Sequence, residues 1–177
     1  NKDLTKQVNY HAQINISKNT SKNQLIIYPN TNSGYGVGDK NEFCDEETPL
    51  NPISLYGKLK VEIEKYFIDN NNAVTLRLAT VFGVSPRMRT DLLVNDFVYK
   101  AMHDRSLVLF EEHFKRNFVH VDDVAEALNC LIEQNIESGV YNIGSGNATS
   151  IASICEQVAT MFSSSIQFDW QSKKDTE

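Results

Sequence analysis

Tyr56 and Lys60 are spaced four residues apart in the run Tyr56-Gly57-Lys58-Leu59-Lys60. On a helix that spacing puts both side chains on one face, one turn apart. A phenol has a pKa of about 10 and is a poor base at neutral pH. A neighbouring ammonium favours the phenolate, so such a tyrosine can exchange a proton with a substrate hydroxyl. Lys58 points to another side of the same helix. Taken alone, the pair reads as an exposed lysine beside a half-buried tyrosine. A second hydroxyl, Thr31, lies in the polar loop Pro29-Asn30-Thr31-Asn32-Ser33-Gly34-Tyr35-Gly36.

The surrounding pattern supplies the elements that must carry these groups. Leu25-Ile26-Ile27-Tyr28 is a continuous apolar run of the kind buried on both faces in a parallel sheet. Residues 37–53 form an irregular connection with Pro49 and Pro52. Ser54–Asn70 reads as a helix, with Leu55, Leu59, Ile63, Tyr66 and Phe67 at helical spacing. Ser54 is its N-cap and Asn70-Asn71-Asn72 its stop. Val74–Ala79 is strand-like and ends before Gly83, so strand, helix and strand make a βαβ unit. In open α/β sheets ligands bind outside the carboxyl ends of strands, where Thr31 and Tyr56 can converge.

The remaining elements are shorter. Residues 3–18 predict an amphipathic helix with Leu4, Val8, His11, Ala12 and Asn15 on one stripe. Further helices are expected over Asp91–Met102, Val121–Gln134 and Ser150–Phe162, and short strands at Leu107–Phe110, Asn117–His120, Val140–Ile143 and Ile166–Phe168. Val121, Val124, Ala125, Leu128, Leu131 and Ile132 share one face of the second of these helices.

Composition narrows the function classes. The 177 residues carry 17 Lys and Arg against 23 Asp and Glu, a net charge of −6. That balance argues against nucleic-acid or membrane-surface binding, which needs clustered cation. No apolar run reaches the roughly 20 residues of a membrane span. Cys44, Cys130 and Cys155 are widely spaced and read as free thiols in a reducing compartment, so a cytoplasmic location is expected. No metal site is expected, because no His or Cys set has ligand spacing. His120 and Asp122 read as residues of a strand-to-helix junction.

Five segments in order, LIIYPNTNSGYG, NPISLYGKLKVEIEK, LRLATVFG, KRNFVHVDDVAEAL and GVYNIGSG, resemble the extended short-chain dehydrogenase/reductase family. More narrowly, they resemble its NAD-dependent sugar-nucleotide epimerase/dehydratase branch. The resemblance implies an α/β fold: part of a Rossmann-type doubly wound parallel sheet with a smaller α/β substrate-binding domain. It implies Tyr56 as the catalytic acid/base and Lys60 as the group that holds the nicotinamide ribose and depresses the Tyr56 pKa. Thr31 would bind the reacting sugar hydroxyl, and Asn9 matches a helix asparagine behind the active site. Asn9 reads equally as an ordinary polar helix residue. Leu78 and Thr80 would lie near the nicotinamide, with Thr80 also touching substrate phosphate.

Arg116 matches the arginine that grips the substrate diphosphate, as guanidinium forks do. Arg87, Arg89 and Asn95 are further substrate-side candidates that read equally as a solvated loop. The implied cofactor is NAD, with NADP also open, and the implied substrate is a nucleotide sugar. The implied reaction is epimerisation of the UDP-glucose 4-epimerase kind, by transient oxidation of a sugar hydroxyl. Two alternatives stay open: an NAD(P)-dependent reductase or dehydrogenase of a carbonyl substrate, and a non-catalytic binding remnant. Asn32 and Ser33 stand where dehydratases carry acids, which disfavours water elimination.

The dinucleotide fingerprint is not found; Gly34-x-Gly36-x-Gly38 opens no helix. The chain is therefore expected to be an interior piece of an enzyme, cut at both ends and inactive alone. Residues 1–83 would be the catalytic part of the NAD-binding domain, with 116–143 returning to it. Residues 84–115 and 144–177 would form the substrate-binding domain. A homodimer of the full-length protein is implied by resemblance, through the helices near 3–18 and 54–70.

Overall fold

The computed structural model describes residues 1–37 and 43–162, and the backbone of 167–171. Gly38, Ile166 and the end of the chain from Ser172 lie outside the described residues. The chain divides into two compact units. The first comprises Asn1–Ala79 and Ala125–Ile143, the second Thr80–Val124 and Gly144–Glu177.

The first unit is an α/β layer around a parallel three-stranded sheet. Strand β1 (Leu25–Thr31) pairs in parallel with β2 (Asn72–Leu78), which pairs in parallel with β6 (Gly139–Ile143), so β2 is central. Helix α3 (Leu55–Asn70) crosses from β1 to β2, as the βαβ pattern predicts. The Ser54 hydroxyl accepts from the Gly57 amide at 3.0 Å and starts α3, and Asn71 ends it. This helix buries Leu59, Ile63 and Phe67. Tyr28, Ile63, Phe67 and Ala73 make one core cluster, and Val74, Leu76 and Leu131 a second. Strand β1 runs three residues beyond the apolar run. Its burial is uneven: Leu25 is exposed and Ile26 and Ile27 half-buried, because only Tyr28 and Asn30 lie fully under α3.

The N-terminal helix departs from the expected phase. It opens as α1 (Lys2–Lys6), widens to π-helix over Gln7–His11, and continues as α2 (Ala12–Asn19). Leu4 and Val8 are exposed, whereas Tyr10 and Ile14 pack on the Tyr28 cluster and Ser17 is buried. The π segment carries an extra residue in its turn, which shifts the side-chain phase away from ideal helical spacing. Ser17 and Asn71 then hydrogen-bond at 2.5 Å.

The second unit holds β3 (Thr80–Phe82), α4 (Leu93–His103), β4 (Ser106–Phe110), β5 (Lys115–His120), β7 (Ala148–Ser150), α6 (Ile151–Met161) and β8 (Gln167–Gln171). Strand β5 pairs in parallel with β3 and antiparallel with β7, and β4 pairs in parallel with β8. Phe97, Ala101, Leu107, Leu109, Ile151, Cys155 and Val158 form its core. Burial pushes the Cys155 thiol up to about 11, with Glu156 adding to the shift. All three cysteines are free.

Helix α5 (Val121–Glu133) links the units in sequence. Only Leu131 of its expected apolar face is buried; Ala125 and Ile132 are exposed. No helix among the described residues is long and apolar enough to cross a membrane.

Candidate active site

The carboxyl edge of the first sheet is a row of registered residues. Thr31 on β1 lies beside Leu78 on β2, and Leu78 beside Ile143 on β6. The Thr31 hydroxyl accepts from the Ser33 amide at 3.2 Å and donates to the Ser33 hydroxyl at 3.1 Å. It thereby caps a single 3-10 turn, Asn32–Tyr35. That turn buries Gly34 and Tyr35 and ends at Gly36, whose φ of +76° excludes most side chains. The Asn51 amide donates to the Gly34 carbonyl at 2.9 Å, tying the loop before α3 to this turn.

Tyr56 sits in the first turn of α3 with 43% of its surface exposed. Its phenol has no hydrogen bond among the described residues. Lys60, one turn on, is buried; its ammonium donates to the Pro29 carbonyl at 2.5 Å and lies 3.9 Å from the Tyr28 ring centre. Burial pulls the Lys60 pKa down to about 8 against the opposing pull of Glu64. Burial alone sets the direction at Tyr56, which is raised. The expected depression of the Tyr56 pKa by Lys60 is therefore not found in this conformation. The physical reason is that the ammonium is turned toward Pro29 and the Tyr28 face.

Behind this edge lies a buried polar network that was not singled out from the sequence. Asn30, Arg77 and Asn142 are registered partners across β1, β2 and β6. Glu64 on α3 receives Arg77 Nη2 at 2.7 Å and Nε at 3.2 Å, Asn30 Nδ2 at 2.6 Å and the Thr75 hydroxyl at 3.2 Å. Arg77 Nη1 donates to the Tyr35 hydroxyl at 2.8 Å and to the Glu46 carbonyl at 3.1 Å. The Tyr35 hydroxyl donates to Asn142 Oδ1 at 2.8 Å. Burial works against the Arg77 charge, but its bonds to Glu64 and Tyr35 outweigh it and hold its pKa above the ordinary value. A signal was present: Arg77 interrupts an apolar strand, and a buried arginine demands a partner.

The other candidates divide between the units. Asn9 is half-buried in the π segment, and its amide donates to the Thr5 carbonyl at 3.0 Å. In the second unit, Thr80 is half-buried on β3 beside Phe118 of β5. Asn95 is buried with both amide groups spent, accepting from the Gly83 amide at 3.2 Å and donating to the Arg89 carbonyl at 3.1 Å. Arg89 is exposed and forks onto Asp91 through two bonds of 2.6 Å. Arg87 and Arg116 are exposed. His120 Nδ1 accepts from the Asp122 amide at 3.3 Å, at the start of α5. No group of His, Cys, Asp and Glu among the described residues could hold a metal ion.

A profile of the NAD dependent epimerase/dehydratase family matches residues 1–144, and the chain belongs to that family. It is 28% identical over 155 residues to the ADP-L-glycero-D-manno-heptose-6-epimerase of Brachyspira hyodysenteriae, covering 81% of this chain and 48% of that protein. It is 30% identical over 153 residues to a putative UDP-glucose 4-epimerase of Methanocaldococcus jannaschii, covering 81% and 50%. The chain thus spans about half the length of the curated relatives it matches. Among solved structures it resembles Thermus thermophilus UDP-glucose 4-epimerase in complex with NAD. The TM-score is 0.82 at 22% identity, over 97% of this chain and 60% of that one. The fold is accordingly the α/β, parallel-sheet fold of the Rossmann-type enzymes of this family.

Proposed function

We propose that the full-length protein is an NAD-dependent epimerase of a nucleotide-diphosphate sugar, of the UDP-glucose 4-epimerase kind. The observation that carries this reading is the exposed Tyr56 phenol, with no hydrogen bond among the described residues, on the helix that crosses between β1 and β2, whose carboxyl edge carries Thr31 and Leu78. Tyr56 takes the proton of a sugar hydroxyl at Oη and gives it back. Thr31 orients that hydroxyl. A tyrosine phenol, of pKa about 10, is neutral at pH 7, and burial pushes Tyr56 further up, so the base form has to be generated when ligand binds. Lys60 contributes to it by turning its ammonium from the Pro29 carbonyl toward the phenol.

The cofactor of this reading is NAD, which when bound supplies the hydride acceptor. Tyr56 and Lys60 fit the hydroxyls of its nicotinamide ribose: among the described residues the phenol has no hydrogen bond and the ammonium one backbone partner, so both keep hydrogen-bonding capacity. Leu78 offers an apolar wall at the same edge. Asn9, on the π segment, takes the place of the helix asparagine behind the active site. Asn32 and Ser33 provide no acid beside Thr31, which favours epimerisation over dehydration.

Residues 1–79 and 125–143 serve the cofactor in this reading, and the second unit serves the sugar nucleotide. Arg116 is the diphosphate ligand, its fork exposed on β5. Thr80 adds a hydroxyl. Arg89 reaches phosphate only after releasing Asp91, and Asn95 supports it by holding its carbonyl. In this reading the protein works in the cytoplasm as a homodimer, for which the exposed Leu4 and Val8 would supply apolar surface.

The test is the full-length protein with NAD and UDP-sugars. Tyr56→Phe is expected to reduce turnover by about 100-fold or more; turnover within a few-fold of wild type would overturn the assignment. Stoichiometric change at roughly 340 nm, the nicotinamide band, would instead identify a net reductase or dehydrogenase.

A further inference from the structure

We propose that Arg77 and Glu64 are positioning residues for the reaction. Through one buried ion pair they set the loop that carries Thr31 against the helix that carries Tyr56 and Lys60. This rests on the reading of Thr31 and Tyr56 given above.

The geometry makes Arg77 a hub. Its side chain is 6% exposed and that of Glu64 5%. Glu64 lies two helical turns from Tyr56 and one from Lys60, so the three share a face of α3. Its carboxylate is bonded to both β1 and β2, through Asn30 and Thr75 as well as Arg77. Asn30 is the residue immediately before Thr31. From the other end of the guanidinium, Nη1 reaches Tyr35, four residues after Thr31, and Glu46 in the loop that leads to α3. Tyr35 passes the contact to the Asn142 side chain on β6, and the Asn142 backbone N–H donates to Glu46 Oε1 at 2.6 Å. Thr31 is thus held on both sides by residues that answer to one ion pair.

Stability alone does not account for such a pair. A buried ion pair pays a desolvation cost that apolar side chains of similar volume avoid. A planar fork is suited instead to fixing directions, because Nε and Nη2 hold Glu64 on one side while Nη1 points at Tyr35 and the Glu46 carbonyl on the other. Misplacing a reacting group by about 1 Å can cost on the order of 100-fold in rate.

The test uses the full-length protein with UDP-glucose as the probe substrate, in two variants. Tyr35→Phe removes one hydroxyl from the hub without changing its shape, and Arg77→Lys keeps the charge but loses the fork. Both are expected to lower kcat by about tenfold or more with KM within about twofold. Amide hydrogen exchange at Ser33 and Gly36 is expected to rise by about tenfold while Ile27 and Tyr28 stay within about twofold. If Arg77→Lys does not fold, Tyr35→Phe decides. Unchanged exchange in a folded variant overturns the proposal, and so does faster exchange with unchanged kcat or a change confined to KM. Failure of the underlying reading appears separately, as turnover retained by Tyr56→Phe; exchange then decides the positioning claim alone.

Discussion

The Lys60 ammonium donates to the Pro29 carbonyl at 2.5 Å, across the gap between α3 and β1. It is buried there, with its pKa pulled down to about 8 by desolvation. A lysine whose folded pKa lies below its unfolded value of about 10.4 binds fewer protons folded than unfolded between the two values. Stability therefore rises with pH through that window. Below pH 8 the full cost of the buried charge is present; above the unfolded pKa it is gone. Lys60→Met removes this titration. The difference in unfolding free energy, wild type minus Lys60→Met, is expected to grow by up to about 3 kcal/mol from pH 7.5 to 10.5. Denaturant unfolding at a series of pH values reads it, and a flat difference contradicts the buried placement of the ammonium.

Arg77→Met leaves the Glu64 carboxylate buried without its counter-charge. That is expected to cost about 3–5 kcal/mol in chemical denaturation. Replacing both residues, Arg77→Met with Glu64→Met, is expected to cost markedly less than the sum of the two single changes, because no charge is then stranded. Additive losses would show that the two side chains are not coupled.

Ser54→Ala removes the acceptor that receives the Gly57 amide. The expected loss is about 1 kcal/mol, typical of an N-cap serine. Its signature is local. Amide exchange should quicken in the first turn of α3, around Tyr56, and stay unchanged at Phe67.

Gly36 and Gly146 share a φ of +76°, yet differ in surroundings. A Cβ at Gly36 would overlap the Asn51 carbonyl oxygen, whereas at Gly146 nothing among the described residues lies within 4 Å. Gly146→Ala is expected to cost about 1 kcal/mol, from backbone conformation alone. Gly36→Ala is expected to cost at least about 2 kcal/mol more, because the Asn51 backbone has to move. Thermal denaturation of the two variants side by side isolates the contact.

The elements legible in the sequence were those with strong local patterns. Ser54 and the asparagine run bracketed α3, and the apolar stretches at Leu25 and Val74 marked a parallel pair joined by that helix. Short pieces such as β3 and β7 carry three residues each and exist only through pairing with β5. Nothing local announces them. The π segment likewise defeats a fixed period: it moves Tyr10 and Ile14 inward where ideal spacing favours Leu4 and Val8. At the candidate site, the Tyr56–Lys60 spacing was legible, but the direction of the Lys60 head was not, since Pro29 and Tyr28 come from a distant strand. Asn95 reads equally as a substrate-side residue or as part of a solvated loop; it lies in α4 and is buried, its amide bridging two backbone groups, of Gly83 and Arg89, that only the fold brings together.

The row formed by Asn30, Arg77 and Asn142 has a consequence for how the chain folds. Apolar parallel strands tolerate a slip of two residues, since the same face stays inward. A slip of that size would carry Arg77 past Glu64 on the α3 side and leave its guanidinium beside the apolar cluster of Tyr28, Ile63 and Phe67, away from its carboxylate. One charged residue in the central strand therefore works as an alignment mark, rejecting out-of-step pairings of β1, β2 and β6 before the sheet closes.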